Sequence, residues 1–428
     1  MTFLWGVATS AYQIEGAPEN DWTAWEAGGR LKPDAAPCGE GSGHRRRWEA
    51  DLRLLPSIGA NAYRYSVEWS RIEPRPGEFD ARALELERRR VGVLERLGVE
   101  PVVTLSHYTH PLWFWRDGGW ESRESVGRFA RFAARVAEAL SPRVRTWVTL
   151  NEPVVLLLGG YLAGLIPPGH RSFARSAMAL EHMLTAHVEA VAAIRARDAG
   201  ARALIAHNML DFAPDRPGHA VDRHLTSEGR ALYNTMLLEA LATGRVRWSF
   251  PGEGRAVFRV DGLPEANDFV GVNYYSRVHL RFRGLPGRIG EFFYRDPRGR
   301  GLTQTGWEIH PEGFESVLTA AAEAGRPILV TENGVATGDD RVRRDFLREH
   351  VFVLAHARRK GLDVRGYFHW SLLDNFEWLE GLHPRFGLFE VDYATYRRRR
   401  RPSADLFAAL GRELIRGAGG ESSAASRT

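Results

Sequence analysis

Eight short runs rich in apolar and β-branched residues punctuate the chain, and segments with helical periodicity lie between them. The runs are Phe3 to Ala8, Ala62 to Val67, Val99 to Leu105, Thr146 to Leu150, Ala203 to His207, Asp268 to Val272, Pro327 to Thr331 and Val364 to His369. Such alternation predicts βα units and a parallel sheet, because a crossover between parallel strands needs a dozen or more residues. Eight units close a (β/α)8 barrel. The expected fold class is therefore α/β, a single (β/α)8 TIM barrel with elaborated βα loops.

Apolar spacings of three and four predict helices over Arg45 to Ile58, Ala81 to Leu97, Ser122 to Leu140, Ser172 to Asp198, Glu228 to Thr243, Gly313 to Ala324, Arg341 to Lys360 and Ala404 to Ile415. Asp80 and Ser403 read as start signals, and Gly98, Gly244, Gly325 and Gly361 as stops. At 428 residues the chain is long for one core, yet decorated barrels reach this length. Residues 1–416 are expected to form one domain. The small, polar stretch 417–428 is expected to be a disordered tail.

A parallel barrel places all its strand C-termini on one face, where active sites are built. Just past the runs lie Gln13 and Glu15, Arg64 and Glu68, His107, Asn151 and Glu152, Asn208, Asn273 and Tyr275, Glu332, and Trp370. Two strings stand out, Thr149-Leu150-Asn151-Glu152-Pro153 and Thr331-Glu332-Asn333-Gly334. Read singly, either is an ordinary turn, since Pro ends strands and Asn-Gly tolerates positive φ. Read together, they set two carboxylates across a cleft. Glycosidic bond cleavage needs that pair, one to protonate the leaving oxygen and one to attack or to activate water.

The chain resembles glycoside hydrolase family 1, the β-glucosidase family. The resemblance rests on Phe3 to Gly16, Tyr63-Arg64-Tyr65-Ser66, Thr104-Leu105-Ser106-His107, Thr149 to Pro153, Gly271-Val272-Asn273-Tyr274-Tyr275, Thr331 to Gly334 and Trp370 to Trp378, and it spans about residue 3 to about residue 410. It implies a retaining β-glycosidase acting on terminal, unphosphorylated β-D-glycosides through a covalent glycosyl-enzyme intermediate. β-Glucosidase activity is expected first, with β-galactosidase or β-fucosidase activity beside it. Glu152 matches the general acid/base and Glu332 the nucleophile. Arg64 and Tyr275 match the residues that hold the nucleophile, and they are expected to lower its pKa. Glu152, lacking such donors, is expected to stay protonated at neutral pH.

The resemblance also marks substrate-binding positions: Gln13, His107, Asn151, Asn273, Trp370, Glu377, Trp378 and Phe386. Asn151 would meet the 2-hydroxyl, Trp370 would supply the stacking face, and Phe386 would lie near the exocyclic group. Family members that take 6-phosphorylated sugars replace the Glu-Trp pair, whereas this chain keeps Glu377-Trp378, continues Leu379-Glu380-Gly381-Leu382, and has just two lysines, Lys32 and Lys360. Val154, Val155, Leu156, Trp113 to Trp115 and Trp307 are candidates for the outer cleft, with core packing as the alternative. Departures from the family are Ser42-Gly43-His44-Arg45 and the Gly- and Arg-rich stretch Val278 to Thr303, expected to be a loop. A transglycosylating variant and a non-catalytic sugar-binding barrel are alternative readings. The intact set Glu152, Glu332, Arg64 and Tyr275 favours an enzyme.

The net charge of +5 and the runs Arg45 to Arg47, Arg88 to Arg90 and Arg397 to Arg401 would suit a polyanion, but 53 acidic residues nearly balance 58 basic ones. No nucleic acid partner is expected. The sole cysteine, Cys38, excludes an intrachain disulfide and sits in no metal-ligand spacing. No metal and no cofactor are expected. No run reaches the length of a membrane span, and the start carries no signal-peptide pattern, so cytoplasmic residence is expected. The expected partners are small-molecule β-glycosides or oligosaccharides. Oligomeric state is not readable from the sequence.

Overall fold

Alternation along each strand sends successive side chains to opposite faces, and here the two faces have different fates. The computed structural model describes residues 2–250, 252–285 and 288–424, without the side chains of 285, 288–290 and 417–424. Its central strands are β1 (Leu4–Ala8), β2 (Ala62–Ser66), β3 (Glu100–Ser106), β4 (Thr146–Asn151), β5 (Arg202–Pro214), β6 (Val270–Leu285), β7 (Ile328–Asn333) and β8 (Val364–Trp370). Each pairs in parallel with the next, and β8 returns to β1, closing the ring. This is the expected barrel.

Inside it, Leu4, Ala62, Val102, Val148, Leu204, Leu329 and Phe368 form one buried cluster. Outside, Trp5, Val7, Tyr63, Val103, Ile205, Val272, Val330 and Tyr367 join the larger core beneath the helices. The helix Ala81–Arg96 shows how that layer is specified. Leu84, Val91 and Leu94 turn inward, and the Asp80 carboxylate caps its start by accepting from the Arg82 and Ala83 amides at 2.7 and 3.0 Å. Gly244, at φ 74°, ends the helix Met236–Thr243 in the left-handed conformation that glycine adopts freely.

Several boundaries differ from expectation. The segment Arg45 to Ile58 is not one helix: His44–Leu52 is helical, and Pro56–Ile58 forms a separate short turn, since Pro56 has no N–H to continue the ladder. Ser403 is not a cap. The last helix, Pro402–Ala424, starts one residue earlier, and the Ser403 hydroxyl donates to Asp340 Oδ1 at 2.6 Å. That helix also passes the boundary expected at 416, and 425–428 lie outside the described residues. The helix expected from Glu228 begins at Ala220 and widens to π geometry over Ala231–Thr235.

Two strands outrun the barrel. β5 and β6 stay paired from Asp211 with Arg277 to Pro214 with Leu280, and Arg288–Phe293 adds to β6 in antiparallel fashion. The stretch from Val278, expected as a loop, is therefore largely hairpin. Its alternation, Val278-His279-Leu280-Arg281-Phe282-Arg283, is that of a strand, and the arginines occupy the polar phase. The result is a raised wall on the C-terminal face. Among the described residues no helix is long and apolar enough to cross a membrane, and no group of three His, Cys, Asp or Glu residues is placed to hold a metal.

Candidate active site

Glu152 follows β4, and the turn that presents it is sharp. Its backbone lies in the left-handed region at φ 50° and ψ 56°, Pro153 then opens a short helix, and the Glu152 amide is pinned to the Ala206 carbonyl of β5 at 2.7 Å. Glu332 lies within β7, beside Asn273 of β6 in register. Both carboxyls open into one pocket of about 280 Å3 on the C-terminal face. Gln13, His107, Asn151, Tyr275, Trp370, Glu377 and Trp378 line it with them.

The two carboxyls have unlike company. Glu332 Oε1 accepts from the Arg64 guanidinium at 2.6 Å, and Oε2 accepts from the Tyr275 hydroxyl at 2.6 Å. Glu152 faces neutral donors: Oε1 accepts from the Asn273 and Asn208 amides at 2.6 and 3.0 Å, and Oε2 accepts from the Tyr108 hydroxyl. The expectation that Glu152 lacks donors therefore fails. What it lacks is a cation.

Arg64 organises the floor. Its remaining N–H groups donate to Asn151 Oδ1 at 2.7 Å, Thr104 Oγ1 at 3.1 Å and the Thr331 carbonyl at 3.0 Å. Guanidinium donates and never accepts, so the Asn151 oxygen is committed and its amide nitrogen is left for the pocket. That nitrogen lies 3.4 Å from His107 Nε2. His107 stacks against Trp370 at 5.7 Å and is held well below the ordinary histidine range by burial and by the Arg64 charge. It is a neutral hydrogen-bonding ring. Gln13 is fixed by the Ser10 hydroxyl at 2.6 Å and donates to the Phe376 carbonyl at 2.8 Å and to Glu377 Oε2 at 3.3 Å.

Electrostatics departs from the sequence expectation for Glu332. Burial pushes it up to about 7, Glu152 adds to the rise, and Arg64 and Tyr275 pull the other way without overcoming it. Burial likewise pushes Glu377 up to about 8, the Asn375 amide lowering it and the Glu332, Glu152 and Glu380 carboxyls raising it. The phenols of Tyr275 and Tyr108 are raised by burial, so both keep their donor protons.

Some expected residues stand behind the pocket wall. Arg64, Asn273 and Phe386 are not among the lining residues. Asn273 acts on Glu152 and Asn151, at 2.6 and 3.2 Å, rather than facing the cavity. Phe386 is buried, 6.2 Å edge-on from the Tyr275 ring. Glu15 and Glu68, at the strand-end face, are structural: Glu15 pairs with Arg90, and Glu68 accepts from Thr109 at 2.9 Å. Of the outer-cleft candidates, Val155 and Trp307 line the pocket, whereas Val154, Leu156 and Phe114 are buried core, and Trp115 stacks on His170 at 6.1 Å. Trp113 packs against the core and donates to the Glu73 carbonyl at 2.8 Å.

Sequence reasoning gave no role to Tyr108, Asn208 and Tyr233, all three of which line the pocket. Tyr108 adjoins His107, and Asn208 lies just past its run, so position signalled both. Tyr233, which donates to Asn208 Oδ1 at 2.8 Å, sits on a distant helical segment and had no signal.

The model of Glycosyl hydrolase family 1 matches residues 1–413. The chain belongs to glycosyl hydrolase family 1. It is a glycoside hydrolase of a retaining β-glycosidase family. Among its relatives, β-glucosidase A of Thermotoga maritima is 33% identical over 422 residues, covering 92% of this chain and 94% of that protein. A bifunctional β-D-glucosidase/β-D-fucosidase of Bifidobacterium breve is 32% identical over 451 residues, covering 95% and 96%. The solved structure of a β-glycosidase from Pyrococcus horikoshii is 36% identical, with a TM-score of 0.87 over 97% of this family 1 chain and 96% of the other.

Proposed function

We propose that the chain hydrolyses terminal, unphosphorylated β-D-glycosides, glucosides first and fucosides or galactosides beside them, with Glu332 as nucleophile and Glu152 as general acid/base. One observation carries the assignment of roles: Glu152 and Glu332 share a pocket, and of these two only Glu332 is paired with a cation. When the pair holds one proton, the negative charge is best placed beside Arg64, and the proton stays on Glu152. Glu332 then attacks the anomeric carbon. As the glycosidic bond breaks, Glu152 gives its proton to the departing oxygen. Next Glu152 takes a proton from water, the water oxygen attacks the anomeric carbon, and the ester bond returns its electron pair to Glu332.

Substrate class follows from the other lining groups. Neutral His107, the Asn151 amide, Gln13 and the Glu377 carboxyl offer hydrogen bonds to ring hydroxyls, and Trp370 and Trp378 offer flat faces. Glu377 and Glu380 both line the pocket, and Lys32, the nearest lysine, is paired with Glu380. A phosphate there would meet two carboxyl groups and a lysine already engaged by Glu380, which supports an unphosphorylated sugar. The names of the relatives, a β-glucosidase and a β-D-glucosidase/β-D-fucosidase, support the same class. Cytoplasmic residence is part of this reading, supported by the single buried, free thiol of Cys38.

The test is leaving-group chemistry. Glu152→Gln is expected to lower kcat/KM for cellobiose or alkyl glucosides by roughly 10²–10⁴, the range of general acid catalysis. Dinitrophenyl glucoside, whose leaving group needs no proton, should suffer far less, with azide relieving the slowed second step as the β-glycosyl azide. Equal losses for both leaving groups would remove Glu152 from the acid role.

A further inference from the structure

The acid proton of Glu152 has only one oxygen on which it fits the surrounding bonds. Asn273 Nδ2 lies 2.6 Å from Glu152 Oε1 and 3.2 Å from Asn151 Oδ1, and that Asn151 oxygen already accepts from Arg64 at 2.7 Å. The atom of Asn273 facing both must therefore be its NH2, a donor. Its own oxygen accepts from the Thr331 hydroxyl at 2.6 Å, which fixes the amide from the other side. Asn208, with its oxygen bound to the Tyr233 hydroxyl, presents a second NH2 to Oε1 at 3.0 Å. Two amide donors leave no acceptor for a proton on Oε1. Oε2 is bonded by the Tyr108 hydroxyl, and a hydroxyl can both give and receive.

We propose that Tyr108 is a positioning residue for Glu152, holding the acid proton on Oε2 and reversing its hydrogen bond as that proton leaves and returns. The proposal rests on the reading of Glu152 as the acid/base. In the resting state the Oε2–H donates to the Tyr108 oxygen. When the proton passes to the departing glycosidic oxygen, Glu152 becomes a carboxylate, and the phenol rotates its own O–H to donate to Oε2. When Glu152 takes a proton from the attacking water, the phenol turns back. No proton leaves Tyr108, whose burial keeps it a phenol.

The backbone supports this placement. Tyr108 lies at φ 70°, a region that bulky side chains rarely adopt, two residues after β3, and Glu152 lies at φ 50°. Strain of this kind persists where surrounding contacts over-determine it, commonly at active sites. Here the Tyr108 ring is held edge-on to Trp378 at 5.2 Å and to His107 at 5.5 Å. The titratable groups around Glu152 are Glu332 from β7, Glu377 from the loop after β8, Tyr275 from β6, Tyr233 from its helical segment and Tyr108. The cation Arg64 connects to Glu152 through Asn151 and Asn273. Of these groups, Tyr108 alone is hydrogen-bonded to Glu152.

A bond to the ionised carboxylate is stronger than the reversed, neutral bond, so Tyr108 favours the carboxylate form of its partner. Tyr108→Phe is therefore expected to move the basic limb of kcat/KM against pH upward by about one unit, the size of one hydrogen bond to a charged group. The acidic limb should stay. 3-Fluorotyrosine placed at Tyr108, a stronger donor of nearly the same shape, should move the basic limb downward and keeps the test open if the phenylalanine variant folds poorly. In the Glu152→Gln background, Tyr108→Phe should add no leaving-group dependence. If Glu152→Gln shows the expected leaving-group pattern while neither Tyr108 change moves the basic limb, the positioning role is overturned and the acid assignment stands. If Glu152→Gln shows equal losses, the acid assignment falls first.

Discussion

Each carboxyl in the pocket carries its own pH signature, because each answers to a different donor. Tyr275 donates to Glu332 and favours its ionised form. Tyr275→Phe should therefore raise Glu332 above its value of about 7 and move the acidic limb of kcat/KM upward by about one unit, leaving the basic limb in place. A pH series on an activated aryl glucoside reads this, and an unmoved acidic limb would take Glu332 out of the nucleophile role. Glu377 has no cation. Its pKa in the fold, about 8, exceeds the unfolded value of roughly 4.3, so its ionisation opposes folding. The penalty is absent below the unfolded value, grows as pH rises between the two, and is full above the folded one. Glu377→Gln should thus leave Tm unchanged near pH 4 and raise it by a few °C at most near pH 8, because the group is half-buried and partly screened. Weakened sugar binding should accompany the gain. Much of this chemistry was legible in the sequence, since Glu152, Glu332 and their neighbours stand at strand ends. The direction of the Glu332 shift was not, because motif spacing names the cation and phenol but says nothing about how deeply the carboxyl is buried.

At the scale of elements, the barrel strands were readable as short apolar, β-branched runs and the outer helices from apolar spacing, while the raised wall was not. Gly and Arg content made Val278 to Thr303 look like a loop, although its first residues alternate as a strand does. The wall is clamped by charge. Asp215, at the end of β5, is buried and pairs with Arg281 of β6 and with Arg295 beyond the hairpin. Tyr294, next to Arg295, lines the pocket, as does Ser276 of β6. Asp215→Ala would leave two arginines without their shared partner and loosen the segment that carries Tyr294, at a cost of roughly 1–3 kcal/mol. The expected kinetic outcome is a several-fold rise in KM for cellobiose, with kcat/KM for dinitrophenyl glucoside nearly unchanged, because the bonds to Glu332 and Glu152 come from other groups. An unchanged KM for cellobiose would mean that the wall does not shape the leaving-group side.

Closure joins the two ends of the chain. β1 pairs with β8 on one side and β2 on the other, and its outward Trp5 stacks on Phe407 of the last helix at 4.4 Å. Neither the seam nor that helix can be lost without opening the ring, so residues 1–416 are expected to unfold as one cooperative unit. Sequence composition pointed to one domain, but the contact that seals it lies between residues some four hundred apart, which local patterning does not reveal. Gly411 tests the seal. In an exposed helix, Gly→Ala stabilises by about 1 kcal/mol. Here a Cβ at Gly411 would lie 2.3 Å from Trp5 Nε1, with the Trp5 ring buried and unable to give. Overpacking of that kind typically costs about 1–3 kcal/mol, enough to reverse the sign. Gly411→Ala should therefore lower the urea midpoint while keeping a single transition by both fluorescence and circular dichroism. A raised midpoint would show that the helix does not press on β1, and two separated transitions would show that the seam does not bind the ends into one domain.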